Sequence, residues 1–231
     1  MSAIAYIEEE ELRVKATLFL YGKYATEQLA RDIEAEINRM WNQPLVVLPV
    51  QTRYLKVRFQ TQVRAITVEE AKQKMQENRS HEINFVRVED ANIVERSMMG
   101  MGLGQNSGHW LITDQLGQST TAAHEFGHAL GLPHPARLDY RGTGYPPLMA
   151  PRGTLVDAVF QWNPLAEPGA YGGTMNPVHR RVRQEEVLEV LARAIFTGDN
   201  FIIGEMSNLF FDEMGNAETP GSSQPFAGFN V

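Results

Sequence analysis

The stretch "TTAAHEFGHALGLPHP", residues 120–135, holds three of the chain's six histidines: His124, His128 and His134, with Glu125 beside the first. On an α-helix, residues four apart sit one turn apart on the same side. A helix here sets the imidazoles of His124 and His128 side by side, able to share one ion. Glu125 is offset by about 100° and can lie over the outer side of that ion without being a ligand. Gly131 stands where a helix can end in a left-handed turn, which glycine enters without steric cost. The turn can bring His134 back to the same ion, and Pro133 stiffens that return.

Three neutral imidazoles with one open position define a catalytic zinc site, since a structural one closes with four protein ligands. Nitrogen-only ligation suits Zn²⁺, although Ni²⁺, Co²⁺ or Cu²⁺ can load in vitro. Zinc lowers the pKa of water towards 7, and Glu125 can take the proton and pass it to a leaving amine. The bland alternative is a core helix with surface histidines. HExxH alone arises by chance in roughly one percent of chains this long. Requiring Gly131 and His134 as well lowers that by a factor of roughly 500.

The flanking sequence reads as an ordered domain. "VKATLFLYG" (14–22) is a buried strand. "TEQLARDIEAEINRMW" (26–41) is a helix with Leu29, Ile33, Ile37 and Trp41 in one stripe, ended by Asn42 and Pro44. "LVVLPV", "YLKVRFQ" and "INFVRV" are strand material, and Thr67-x-x-Glu70 opens a second helix with a capping box. "SMMGMGLGQNSG" (97–108) reads as an irregular loop whose methionines serve packing or line a pocket. "HWLIT" (109–113) is a short strand, and Thr120 or Thr121 caps the histidine helix. After a long Pro- and Gly-rich stretch, "RQEEVLEVLARAIF" gives a last helix with Val187, Leu188, Leu191 and Ile195 as its stripe.

Bulk properties narrow the classes. The 231 residues are 43% hydrophobic and 21% charged, as in soluble globular proteins. The net charge of −7 speaks against a nucleic-acid partner. No apolar run is long enough for a membrane span. Cysteine is absent, so any metal must be held by His, Asp or Glu. "MSAIAYIEEEELRVK" has no signal-peptide pattern. The chain therefore stays in the cytoplasm, leaves by a route needing no cleaved signal, or has had a leader trimmed away. The acidic run Glu8 to Glu11 reads as a solvated strand entrance rather than a plug over the metal.

His124-Glu125-Phe126-Gly127-His128-Ala129-Leu130-Gly131-Leu132-Pro133-His134 matches HExxHxxGxxH and resembles the signature of the metzincin metalloproteases. "HEFGHALGLPH" is most similar to the matrixin branch. The resemblance implies one catalytic Zn²⁺ on His124, His128 and His134, with Glu125 as general base in an endopeptidase acting on a protein or peptide. It implies an α+β, zincin-like fold: a twisted mixed β-sheet with a long N-terminal helix, a zinc-site helix and a C-terminal helix. Residues from about 12 to 196 can be laid on that plan. The expected organisation is one catalytic domain over 1–231. An upper subdomain reaches about 131, a lower one covers about 132–200, and about 213–231 form a mobile tail.

The family also places a methionine turn beneath the zinc. "PPLMAP" offers Met149, the closer match, and "GGTMNP" offers Met175. Pro151 stands where some relatives have a tyrosine, and Tyr140, Tyr145 and Tyr171 are weak substitutes. In the family the strand before the site helix borders the cleft, which makes His109 and Trp110 weak candidates for substrate contact. The loop from about Leu148 to Arg183, with Phe160 and Trp162, is expected to shape the pocket. Structural calcium is not supported, because "RLDYRGTG" (137–144) offers a single Asp. Two other readings stand beside the peptidase. One is a zinc-loaded binding module, for which Glu125 is superfluous. The other is a latent, toxin-like effector peptidase.

Overall fold

β2 (Glu11–Tyr21) alternates buried and half-buried side chains along most of its length, the two-residue period of a strand inside a sheet. The computed structural model describes residues 2–50 and 52–219. β4 (Arg53–Ala65) runs parallel to β2 along one edge, from the Glu11–Lys56 pair to the Leu20–Ala65 pair. The other edge is divided. β1 (Ala3–Glu8) pairs antiparallel with the first half, and β5 (Ile83–Glu89) pairs parallel with the second. β3 (Val47–Val50) extends the sheet beyond β4. On the site side, β5 is followed by β7 (Ser107–Leu111), parallel, and then by β6 (Met98–Met99), antiparallel.

Four α-helices complete the described residues, giving a mixed α+β fold around a mixed sheet. α1 (Glu27–Trp41) begins at Thr26, whose hydroxyl accepts the Leu29 N–H, and buries Leu29, Ile33, Ile37 and Trp41 as the spacing anticipates. α2 (Val68–Glu77) has the expected reciprocal box between Thr67 and Glu70. α3 (Thr121–Ala129) carries the first two histidines. α4 (Gln184–Ala192) is shorter than its pattern suggests. It buries Val187 and Val190, while Ile195 leaves the helix for β8 (Ile195–Phe196). β8 pairs with β9 (Phe201–Ile203), which joins the free edge of β1. Strand pairing thus takes the chain that a helical stripe would have claimed.

Between α3 and α4 the chain is irregular apart from 3₁₀ turns at Ala158–Phe160 and Pro177–His179. It packs a small cluster of its own from Tyr140, Ala150, Val156 and Met175. Beyond β9, residues 210–218 form a hairpin of β10 (Phe210–Phe211) and β11 (Ala217–Glu218). The Asp212 carboxylate ties its turn by accepting the N–H groups of Met214 and Asn216. Part of the expected tail is therefore ordered, and its remainder, 220–231, lies outside the described residues. Among the described residues no helix is long and apolar enough to cross a membrane.

Candidate metal centre

α1 positions α3. The Trp41 ring meets Phe126 edge-on at 6.2 Å, and its Nε1–H donates to the Ala123 carbonyl at 3.2 Å. The N-terminus of α3 is not capped by threonine as the sequence suggests. Thr120 has φ +68° and donates its hydroxyl to the Pro177 carbonyl at 2.7 Å. Its place is taken by Glu36 of α1, which accepts the Ala123 N–H at 2.9 Å. A carboxylate suits the positive end of a helix. Burial nevertheless pushes Glu36 above the usual carboxylate range, partly opposed by the backbone N–H groups it accepts.

The three histidines converge. His124 Nε2 lies 3.2 Å from His134 Nε2, and His128 Nε2 lies 3.1 Å from the same atom. His124 is buried, His128 half-buried and His134 exposed. His124 Nδ1 donates to the Leu148 carbonyl at 2.7 Å, and His128 Nδ1 donates to the Leu132 carbonyl at 2.8 Å. A carbonyl can only accept, so both Nε2 atoms are left with lone pairs. Two lone pairs then face one imidazole, which can donate to only one of them. A shared cation resolves that conflict, and the group can hold a metal ion. All three histidines are held below the ordinary imidazole range, first by loss of water around the rings; His134, exposed as a residue but with its ring against the other two, is lowered to about 4, with His128 and Arg180 contributing. They are thus neutral, as ligation requires. Gly131 has φ +93°, the left-handed turn that returns His134.

Met149 lies beneath this helix. A Cβ at Gly127 would collide with Met149 Sδ, so the missing side chain is what admits the methionine. Met175 sits in the separate cluster of the irregular loop. Glu186 of α4 fixes the Met149 segment, its carboxylate accepting the Met149 N–H at 2.8 Å and the Leu148 N–H at 3.2 Å. The carbonyl of that same Leu148 is the partner of His124.

Glu125, only 6% exposed, borders the cleft of about 530 Å³ in front of the histidines. Burial raises its carboxyl to about 7, against the pull of the Arg180 charge, and its buried Oε2 has no hydrogen-bond partner among the described residues. Across the cleft lie Met98, Met99 and Met101. The Met-rich segment therefore serves both purposes considered for it, with Met99 in the core and Met101 exposed.

His109 and Trp110 are elsewhere. Both are fully buried, and neither lines the cleft. β6 pairs with β7 on the cleft side and takes the edge position expected of β7. Asn92 donates its amide to His109 Nδ1 at 3.1 Å, leaving Nε2 to donate to the Glu213 carbonyl at 3.3 Å. His109 thus anchors the β10–β11 hairpin, and Trp110 belongs to the main core. Tyr140, Tyr145 and Tyr171 do not line the cleft either, nor do Phe160 and Trp162. The irregular loop contributes Pro151, Arg152 and Arg180 instead. No sequence pattern marks these arginines, which sit in aperiodic chain with no local spacing.

Comparison of the chain with protein-family models, curated proteins and solved structures finds no match.

Proposed function

We propose that this chain is a zinc-dependent endopeptidase of metzincin type, with His124, His128 and His134 as ligands and Glu125 as general base. The observation that carries the reading is the convergence of the Nε2 atoms at 3.1 and 3.2 Å while the Nδ1 atoms of His124 and His128 are committed to carbonyls. Nitrogens tetrahedrally arranged at the Zn–N length of 2.0–2.1 Å stand about 3.3 Å apart. A zinc ion held there supplies a Lewis acid that polarises a carbonyl and makes water acidic near neutral pH.

The chain's own groups supply the rest. The Leu148 and Leu132 carbonyls orient two imidazoles and fix their tautomers. Glu125, held to about 7 by burial, is matched to taking a proton near neutrality and returning it to the leaving amine. β6 offers its outer edge, against which an extended peptide can align by main-chain hydrogen bonds. The mixed sheet, α1 packed on the site helix, and Met149 under Gly127 are further support for a metzincin-like arrangement.

The test is cleavage of a mixed peptide library by the zinc-loaded protein beside Glu125→Ala. Wild type is expected to cleave, and Glu125→Ala to lose about 10²–10⁴-fold in rate with zinc content unchanged. No cleavage by either protein, with zinc bound to both, overturns the peptidase and leaves the binding module.

A further inference from the structure

Arg180 is 3% exposed and lines the cleft beside Glu125. Its backbone is fixed, the N–H donating to the Pro177 carbonyl at 3.0 Å and the carbonyl accepting from Arg181 Nη1 at 2.7 Å. Its guanidinium is not. Among the described residues the side chain makes no hydrogen bond and no ion pair, and its Nε is a buried donor without a partner. A buried charge in that state is costly, and its neighbours normally neutralise it.

Two carboxylates stand on the same cleft, and neither serves. Asp114 is already committed: its Oδ2 accepts the Ser97 N–H at 3.1 Å and the Ser97 hydroxyl at 2.7 Å, and its Oδ1 pairs with Arg152. Glu125 acts on Arg180 only through space, without an ion pair. Arg96 lines the same cleft, so three guanidinium groups stand with two carboxylates. The cleft therefore carries an excess of positive charge before any metal is counted. The planar fork of an arginine matches a carboxylate, which carries the opposite charge.

We propose that Arg180 is the specificity-determining residue of the cleft, receiving a carboxylate of the bound peptide. The source is either an acidic side chain near the scissile bond or a free C-terminus. That the ligand is a peptide rests on the endopeptidase reading; the preference for an anion rests on Arg180 itself.

The experiment uses short peptides of Ala, Leu and Gln, acetylated and amidated, with one Glu moved through the positions. An all-Gln peptide is the neutral control, and the same peptide with a free C-terminal carboxylate is the third arm. Calorimetry measures their binding to the zinc-loaded Glu125→Gln protein, and cleavage by zinc-loaded wild type is measured in parallel. One acidic position, or the free C-terminus, is expected to bind about tenfold or more tightly than the neutral peptide. Arg180→Gln in the same background is expected to erase the difference, and Arg180→Lys to keep part of it. Equal binding of acidic and neutral peptides overturns the proposal, and this comparison needs no change at Arg180. It also falls if Arg180→Gln keeps the preference, or if it slows every peptide alike. Cleavage without preference leaves the peptidase standing alone, and preference without cleavage leaves Arg180 standing alone.

Discussion

Glu36 Oε1 lies 2.9 Å from the Ala123 amide nitrogen, so the helix that carries His124 and His128 is capped from another helix. Glu36→Ala leaves a buried N–H without its acceptor, and the expected loss is about 1–3 kcal/mol in urea denaturation. Glu36→Gln keeps the acceptor and removes the charge. Burial raises Glu36, so the folded state holds its proton more tightly than the unfolded chain does. That contribution is full below the unfolded carboxyl pKa and is lost as pH rises through the folded value. The stability of Glu36→Gln relative to wild type is therefore expected to improve as pH rises from about 4 through the raised folded value. A difference independent of pH would contradict the assignment.

Glu186 reaches the candidate metal centre through two backbone links. It accepts the N–H groups of Leu148 and Met149, and the Leu148 carbonyl holds His124 Nδ1. Glu186→Ala is expected to weaken metal binding by about 10–100-fold, as loss of ligand-orienting groups does. Competition with a chromogenic chelator measures it. Unchanged affinity would mean that packing around Met149 alone fixes the Leu148 carbonyl.

His109 separates the observed arrangement from the expected one. His109→Ala removes the partner of Asn92 and the tie to Glu213, at an expected cost of about 1–3 kcal/mol. Metal content and the pattern of peptides cleaved are expected to stay as in wild type. A changed cleavage pattern would return His109 to the substrate side.

The difference between what the sequence conveyed and what it did not follows the range of the interactions. His124, His128 and His134 were legible because helix period and a glycine turn bring them together within eleven residues. The Thr26 cap and the Thr67–Glu70 box are likewise local. Glu36 reaches across 87 positions to Ala123, so the threonines beside the helix looked like the cap. The β6–β7 pairing hides in a run of Met and Gly that has no strand alternation, and so β7 looked like the edge. Arg180 shows no local pattern, since its significance lies in having no counter-ion among the described residues, which only the folded chain reveals.

The pairing of β1 with β9 has a consequence for how this protein is made. Ala3 sits opposite Ile203, and the Ser2 N–H donates to the Ile203 carbonyl at 2.7 Å. During synthesis β1 emerges about 200 residues ahead of the strand that covers its second edge. Contacts so distant along the chain form slowly. A nascent chain that has folded around the histidine helix still shows an open strand edge, the kind of surface that recruits another chain. The arrival of β9, rather than the gathering of the histidines, is the step that closes this edge and takes the nascent chain out of danger.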